Sequence, residues 1–133
     1  MMKGKRLMTR QSVFDWVRKE YGTEPEYPWH DRNVVLRQKD NGKWYGVVLG
    51  VSGIKLGLPE KDFVDVLNVK SDPMLIASLC GQSGYFPAYH MNKGKWISIL
   101  LGQDELDDSI RNLLALSFEL TTSKRGKTLA EEI

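Results

Sequence analysis

Two runs of β-forming residues, Val34-Val35-Leu36-Arg37-Gln38 and Trp44-Tyr45-Gly46-Val47-Val48-Leu49, flank the polar stretch Asp40-Asn41-Gly42-Lys43. No other local signal in the chain restricts its fold as strongly, because Asn-Gly between such runs favours a type I′ turn joining two antiparallel strands. A two-residue loop at Asn41-Gly42 pairs Lys39 with Trp44, Gln38 with Tyr45, Arg37 with Gly46 and Leu36 with Val47. Alternation then assigns Val34, Leu36, Tyr45, Val47 and Leu49 to a face packed under helices. The opposite face receives Val35, Arg37, Lys39, Trp44, Gly46 and Val48.

Other elements assemble around this hairpin. Residues 9–21 carry Val13, Val17 and Tyr21 at helical spacing with Phe14 beside them, and Gly22 stands where a left-handed C-cap belongs. A loop over 52–62, punctuated by Gly53, Gly57 and Pro59, leads to a third strand over 63–70. Asp72-Pro73 supplies an N-cap and the proline favoured at the first helical position, so a short apolar helix is expected over 74–80, stopping at Gly81. Residues 85–90 and 95–101 read as a second hairpin around Met91-Asn92-Lys93-Gly94. Strand alternation in its second arm sends Ile97, Ile99 and Leu101 one way and Trp96, Ser98 and Leu100 the other. Residues 104–124 place Leu106, Ile110, Leu113, Leu114 and Phe118 on one side of the longest helix, with acids at its start and Lys124-Arg125 at its end. Asp104, Glu105, Asp107 and Asp108 are therefore explained by capping and the helix dipole rather than by catalysis.

The order α-β(3)-α-β(2)-α defines an α+β, two-layer domain with a mainly antiparallel five-stranded sheet. A chain of 133 residues is enough for one such core. Residues 1–8 are expected to be a basic terminus, 9–124 the single domain and 125–133 a tail.

Several function classes are disfavoured. No stretch is apolar and long enough to span a bilayer, and the basic start with Lys3, Lys5, Arg6 and Arg10 lacks the apolar run of a secretory signal. Cys80 is the only cysteine, which fits a reducing cytoplasm and a small buried hydrophobe. With only His30 and His90 besides, no zinc-ligand spacing exists, and Gly50, Gly53 and Gly57 form no phosphate-cradling motif. No cofactor is expected, and no nucleophile elbow marks a hydrolase. The net charge of +2 is mild, so binding to a polyanion has to rest on local clusters.

The segment Pro87-Ala88-Tyr89-His90-Met91-Asn92-Lys93 followed by Trp96 resembles the signature of the MmcQ/YjbR-like family. Glu24-Pro25-Glu26-Tyr27-Pro28-Trp29, Val35-Leu36-Arg37, Lys43-Trp44-Tyr45, Asn68-Val69-Lys70 with Asp72-Pro73, and Ser117-Phe118-Glu119-Leu120 resemble further segments of it, in order and spacing. The resemblance implies a fold similar to secretion-chaperone-like domains, and DNA binding through two hairpin wings. The chain departs from the family pattern where Gly94-Lys95 replaces a basic residue and a histidine, and where Phe118 replaces a tyrosine.

Those wings nominate Arg37, Lys39, Lys43 and Trp44 on the first hairpin, and His90, Asn92, Lys93 and Lys95 on the second, as nucleic-acid-binding residues. Lysine and arginine neutralise phosphates, and an indole beside them offers a stacking platform. The same residues have plainer roles open to them: Asn92 in left-handed turn geometry, His90 bonded to a carbonyl, and Trp44 and Trp96 at the rim of the core. The first functional expectation is thus a non-catalytic binding domain for DNA. The second is a protein-interaction or homodimer module using the Trp44 and Trp96 face, and the third an enzyme or small-molecule binder with a site not visible in sequence.

Overall fold

The structure, a computed structural model, describes residues 8–59 and 62–122. Its first helix, α1 (Arg10–Tyr21), begins at Thr9, whose hydroxyl and that of Ser12 form a reciprocal capping box, and ends at Gly22 with φ 67°. Three strands follow, β1 (Val34–Arg37), β2 (Trp44–Ser52) and β3 (Phe63–Lys70). The short helix α2 (Pro73–Leu79) is capped by Asp72, whose carboxylate accepts the Met74 N–H at 2.8 Å. Strands β4 (Tyr85–Pro87) and β5 (Trp96–Leu100) precede the last helix, α3 (Asp107–Thr121). The order anticipated from sequence is therefore the order found.

A 3-10 turn at Asp104–Leu106 splits off the start of the expected last helix. Asp107 does not cap α3 either; its carboxylate accepts the buried Met8 N–H at 3.0 Å. The expected basic end of that helix, at Lys124 and Arg125, lies outside the described residues, as do 1–7 and the 125–133 tail.

The strands form one antiparallel sheet in the order β1-β2-β3-β5-β4. Cross-strand partners share a face, so Val34, Val48, Leu67, Ile99 and Tyr85 make one row, and Leu36, Gly46, Val69 and Ile97 the next. Helix α3 lies over these rows: its Ser117 hydroxyl donates to the Tyr45 carbonyl at 2.6 Å and accepts the Lys70 N–H at 2.9 Å. Phe118 stacks on Tyr21 of α1 at 3.8 Å and meets Tyr45 edge-on at 4.9 Å, so the position that departs from the family pattern serves the core here. Tyr45 donates its phenol hydrogen to Thr23 at 2.5 Å, and burial pushes that phenol's pKa up to about 12. Burial alone would raise the Asp65 carboxyl on β3, but hydrogen bonds and charge from Arg10, with Arg32, hold it below its ordinary value.

The first hairpin differs from its expected register. Its loop spans four residues, Lys39 to Gly42, closed by Gln38 N–H to Lys43 O at 2.7 Å and Gly42 N–H to Gln38 O at 3.1 Å. Gly42 takes the left-handed conformation at φ 73°, whereas Asn41 does not. Asn41 instead accepts the Lys43 N–H at 2.8 Å and donates its amide to the Thr121 carbonyl at 2.9 Å, fastening the loop to the end of α3. Leu36 pairs with Gly46 and Arg37 with Trp44, so Tyr45 is the extra residue of a β-bulge. Tyr45 and Gly46 both turn toward the helices, which reverses the alternation beyond them. Gly46 and Val48 thus join the helix-covered face, while Val47 and Leu49 join Trp44 on the outer one, opposite to expectation. The assignments for β1 and for Ile97 to Leu100 of β5 stand. A β-carbon at Gly46 would come 2.9 Å from Leu36 Cδ1, so this glycine is what lets β1 and α3 close over the bulge.

Gly42→Val is expected to destabilise the domain by about 1–2 kcal/mol, because a β-branched residue is strained at positive φ. The added β-carbon meets nothing within 4 Å, so the whole effect is backbone strain. Thermal melts should show a drop of several degrees, and an unchanged midpoint would contradict the loop conformation.

Candidate functional site

Both hairpin loops emerge at one end of the sheet. β2 starts at Trp44 and β5 at Trp96 on the side where β3 ends at Lys70, which pairs with Trp96. The Ser71 N–H donates to the Lys95 carbonyl at 2.9 Å and ties the second loop to the exit of β3. Lys39 and Lys43 on one loop, and Lys93 and Lys95 on the other, are exposed, and among the described residues none takes part in an ion pair. Exposed Asp40 and Asp72 stand at the same end. Arg37 is not free in this way: Glu26 holds its guanidinium at 3.1 Å, and a second nitrogen donates to the Gly42 carbonyl at 3.4 Å.

The second loop is longer than a tight turn, since β4 ends at Pro87 and the chain folds across the outer face before Lys93. A buried polar pair on the sheet holds it there. The Asn68 amide donates to the Tyr89 carbonyl at 2.9 Å, Ser98 Oγ accepts the Tyr89 N–H at 3.0 Å, and the Ser98 hydroxyl bonds Asn68 Oδ1. His90, expected at a strand end, is an exposed residue at φ 63°; it, rather than Asn92, takes the left-handed geometry. Asn92 closes a turn instead, its side-chain oxygen accepting the Gly94 N–H at 2.8 Å and its carbonyl accepting Trp96 N–H at 3.0 Å.

Trp44 and His90 help to line a cleft of about 400 Å³ on the outer face. Val47 and Leu49 of β2 border it, with Trp29, Asp31 and Asn33 from the preceding loop and Met91 from the second hairpin. Trp29 meets Trp44 edge-on at 5.9 Å with the rings at 90°. Arg37, Trp96 and the four exposed lysines of the loops are not among the lining residues. Sequence reasoning missed Trp29 and Asp31. Their loop is carried by a single antiparallel bridge, Glu26 to Val35 at 3.1 and 2.9 Å, and by the Gly50 N–H donating to the Asn33 side chain at 3.1 Å. An indole in a polar, proline-marked loop was the available signal.

Among the described residues no group of histidine, cysteine or acidic side chains could hold a metal ion, and no helix is long and apolar enough to cross a membrane. An antiparallel five-stranded sheet, helices α1 and α3 packed over one face and loops strapped across the other, defines an α+β domain of the α-β(3)-α-β(2)-α type. The chain belongs to the YjbR family, whose model matches residues 18–120. It is 39% identical over 117 residues to the uncharacterized protein YyaQ of Bacillus subtilis (strain 168), covering 86% of this chain and 99% of that one. A crystal structure of a Pseudomonas syringae protein superposes with a TM-score of 0.80 at 37% identity, over 86% of this chain and all (100%) of that one. A Deinococcus radiodurans protein shares the fold at a TM-score of 0.68 and 20% identity, over 89% of this chain and 81% of its own.

Proposed function

We propose that this domain is a non-catalytic binding module that holds nucleic-acid phosphates weakly and without reading sequence. The observation that supports this reading is the convergence of Lys39, Lys43, Lys93 and Lys95, unpaired among the described residues, on two loops at one end of the sheet. β2 and β5 are two strands apart, so their loops leave the sheet about 10 Å from one another, a span that brings both to one backbone. Asp40 and Asp72 among the lysines, and the overall charge of +2, limit the affinity to about micromolar or weaker at physiological salt. The lone cysteine is consistent with work in a reducing cytoplasm.

The protein-interface alternative on the tryptophan face loses its flat surface. Val35, Val47, Asn68 and Ser98 are buried there, leaving a cleft rather than a sheet face open.

Fluorescence anisotropy with single- and double-stranded DNA tests the proposal. Replacing Lys39, Lys43 and Lys93 together by alanine is expected to weaken binding to every sequence and to reduce the log-log salt slope by about 2–3. Glu26→Gln, which frees Arg37, is expected to tighten it. Absence of binding by the unaltered protein at low salt would refute the reading.

A further inference from the structure

We infer that the outer-face cleft is a binding site for a small organic cation with an apolar body, a function separate from phosphate contact at the lysine loops. The volume of about 400 Å³ lies in the range of pockets that enclose small organic molecules. Trp29 and Trp44 stand at right angles with ring centroids 5.9 Å apart, edge to face, and both line the cleft. Indole faces attract cations through the ring quadrupole, and two of them around a quaternary or alkylated ammonium form most of an aromatic cage. Val47, Leu49 and Met91 supply apolar contact for the remainder of such a ligand.

Charge chooses among ligands of that size. Asp31 brings a carboxylate to the lining, while among the described residues no lysine or arginine lines the cleft. The carboxylate is held in position, accepting the Asn33 N–H at 2.8 Å and the Asn33 amide at 3.3 Å, and each of its oxygens keeps lone-pair capacity. An anion would meet the carboxylate and the negative ring faces together; a neutral molecule would gain only apolar contact.

The backbone supplies an independent observation. His30 at φ 60° and His90 at φ 63° are the two non-glycine residues in the left-handed region among those described, and they adjoin Trp29 and Met91. Such conformations persist where surrounding structure enforces them, and they gather at ligand-binding segments. Trp29 also remains 46% exposed although it belongs to an otherwise polar loop, which is the position of a contact residue rather than of core.

Benzyltrimethylammonium, its uncharged carbon isostere neopentylbenzene and the anion 3-phenylpropionate separate these alternatives when titrated into the full chain and followed by 1H–15N NMR. The cation is expected to move the indole N–H signals of Trp29 and Trp44 but not those of Trp16 and Trp96, and to bind about five-fold more tightly than the isostere, with the anion weakest. Asp31→Asn keeps an acceptor for the Asn33 N–H and should reduce cation affinity about five-fold while leaving the isostere unchanged. Trp29→Leu, at an exposed position that the core does not need, should abolish the preference for the cation. Equal affinity of cation and isostere, an Asp31→Asn variant with unaltered selectivity, or the absence of shifts at millimolar cation would each overturn the assignment.

Discussion

Asn68→Ala is expected to cost about 3–4 kcal/mol, a substantial part of the 5–15 kcal/mol by which a domain of this size is stable. Asn68 is fully buried in β3, so truncation leaves a void and removes the donor to the Tyr89 carbonyl and the acceptor of the Ser98 hydroxyl. The Ser98 hydroxyl and the Tyr89 carbonyl would then be polar groups without these partners on a dry sheet face. Ser98→Ala should cost less, about 2 kcal/mol, because it removes a smaller group. The double variant should fall short of the sum by 1 kcal/mol or more, since both changes break the same bond. Chemical denaturation of the four proteins measures the cycle. Hydrogen exchange should show Tyr89 amide protection falling further than that of β3, because residues 88–91 are tied to the sheet by this pair; simple additivity would show that the pair does not act as a unit.

Gly84→Ala is the second large effect, expected to destabilise by about 3 kcal/mol for two separable reasons. Gly84 sits at φ 89°, where an L side chain is strained, and a β-carbon there would fall well inside van der Waals contact with Leu106 Cδ1. Leu106 is 6% exposed and belongs to the core, so it has little room to retreat. Repeating the substitution in a Leu106→Ala background removes the clash and should lower its additional cost to about 1 kcal/mol, the backbone share alone. Equal costs in the two backgrounds would assign the effect wholly to the backbone.

Elements whose signals are local were legible in the sequence. Thr9 and Gly22 bracket α1, Asp72-Pro73 opens α2, and the β-branched run of β3 has the limits it was given. The bulge at Tyr45 was not legible, and the reason is physical. Between Trp44 and Leu49 both faces of β2 are buried, by helices on one side and loops on the other, so no polar residue interrupts the run to reveal a change in phase. Asn-Gly indicated a turn at the correct place, but a contact with the Thr121 carbonyl, eighty positions away, decided its length. The lysines of the candidate phosphate site were readable because charge at a hairpin tip needs no tertiary information to be exposed. The Glu26 bridge to Arg37 was not legible, because it joins two segments eleven positions apart, and the cleft was invisible because Trp29, Trp44 and Met91 meet only after three separate segments have folded together.

The two rims of the sheet bear on how this protein can meet others. Beside β1, the Glu26 to Val35 bridge already occupies backbone groups that another strand would need. On the opposite rim β4 offers only three residues and ends in Pro87, which has no N–H to give. Among the described residues a second chain therefore finds no continuous ladder to extend at either rim, so aggregation by strand addition is blocked by the way the sheet ends.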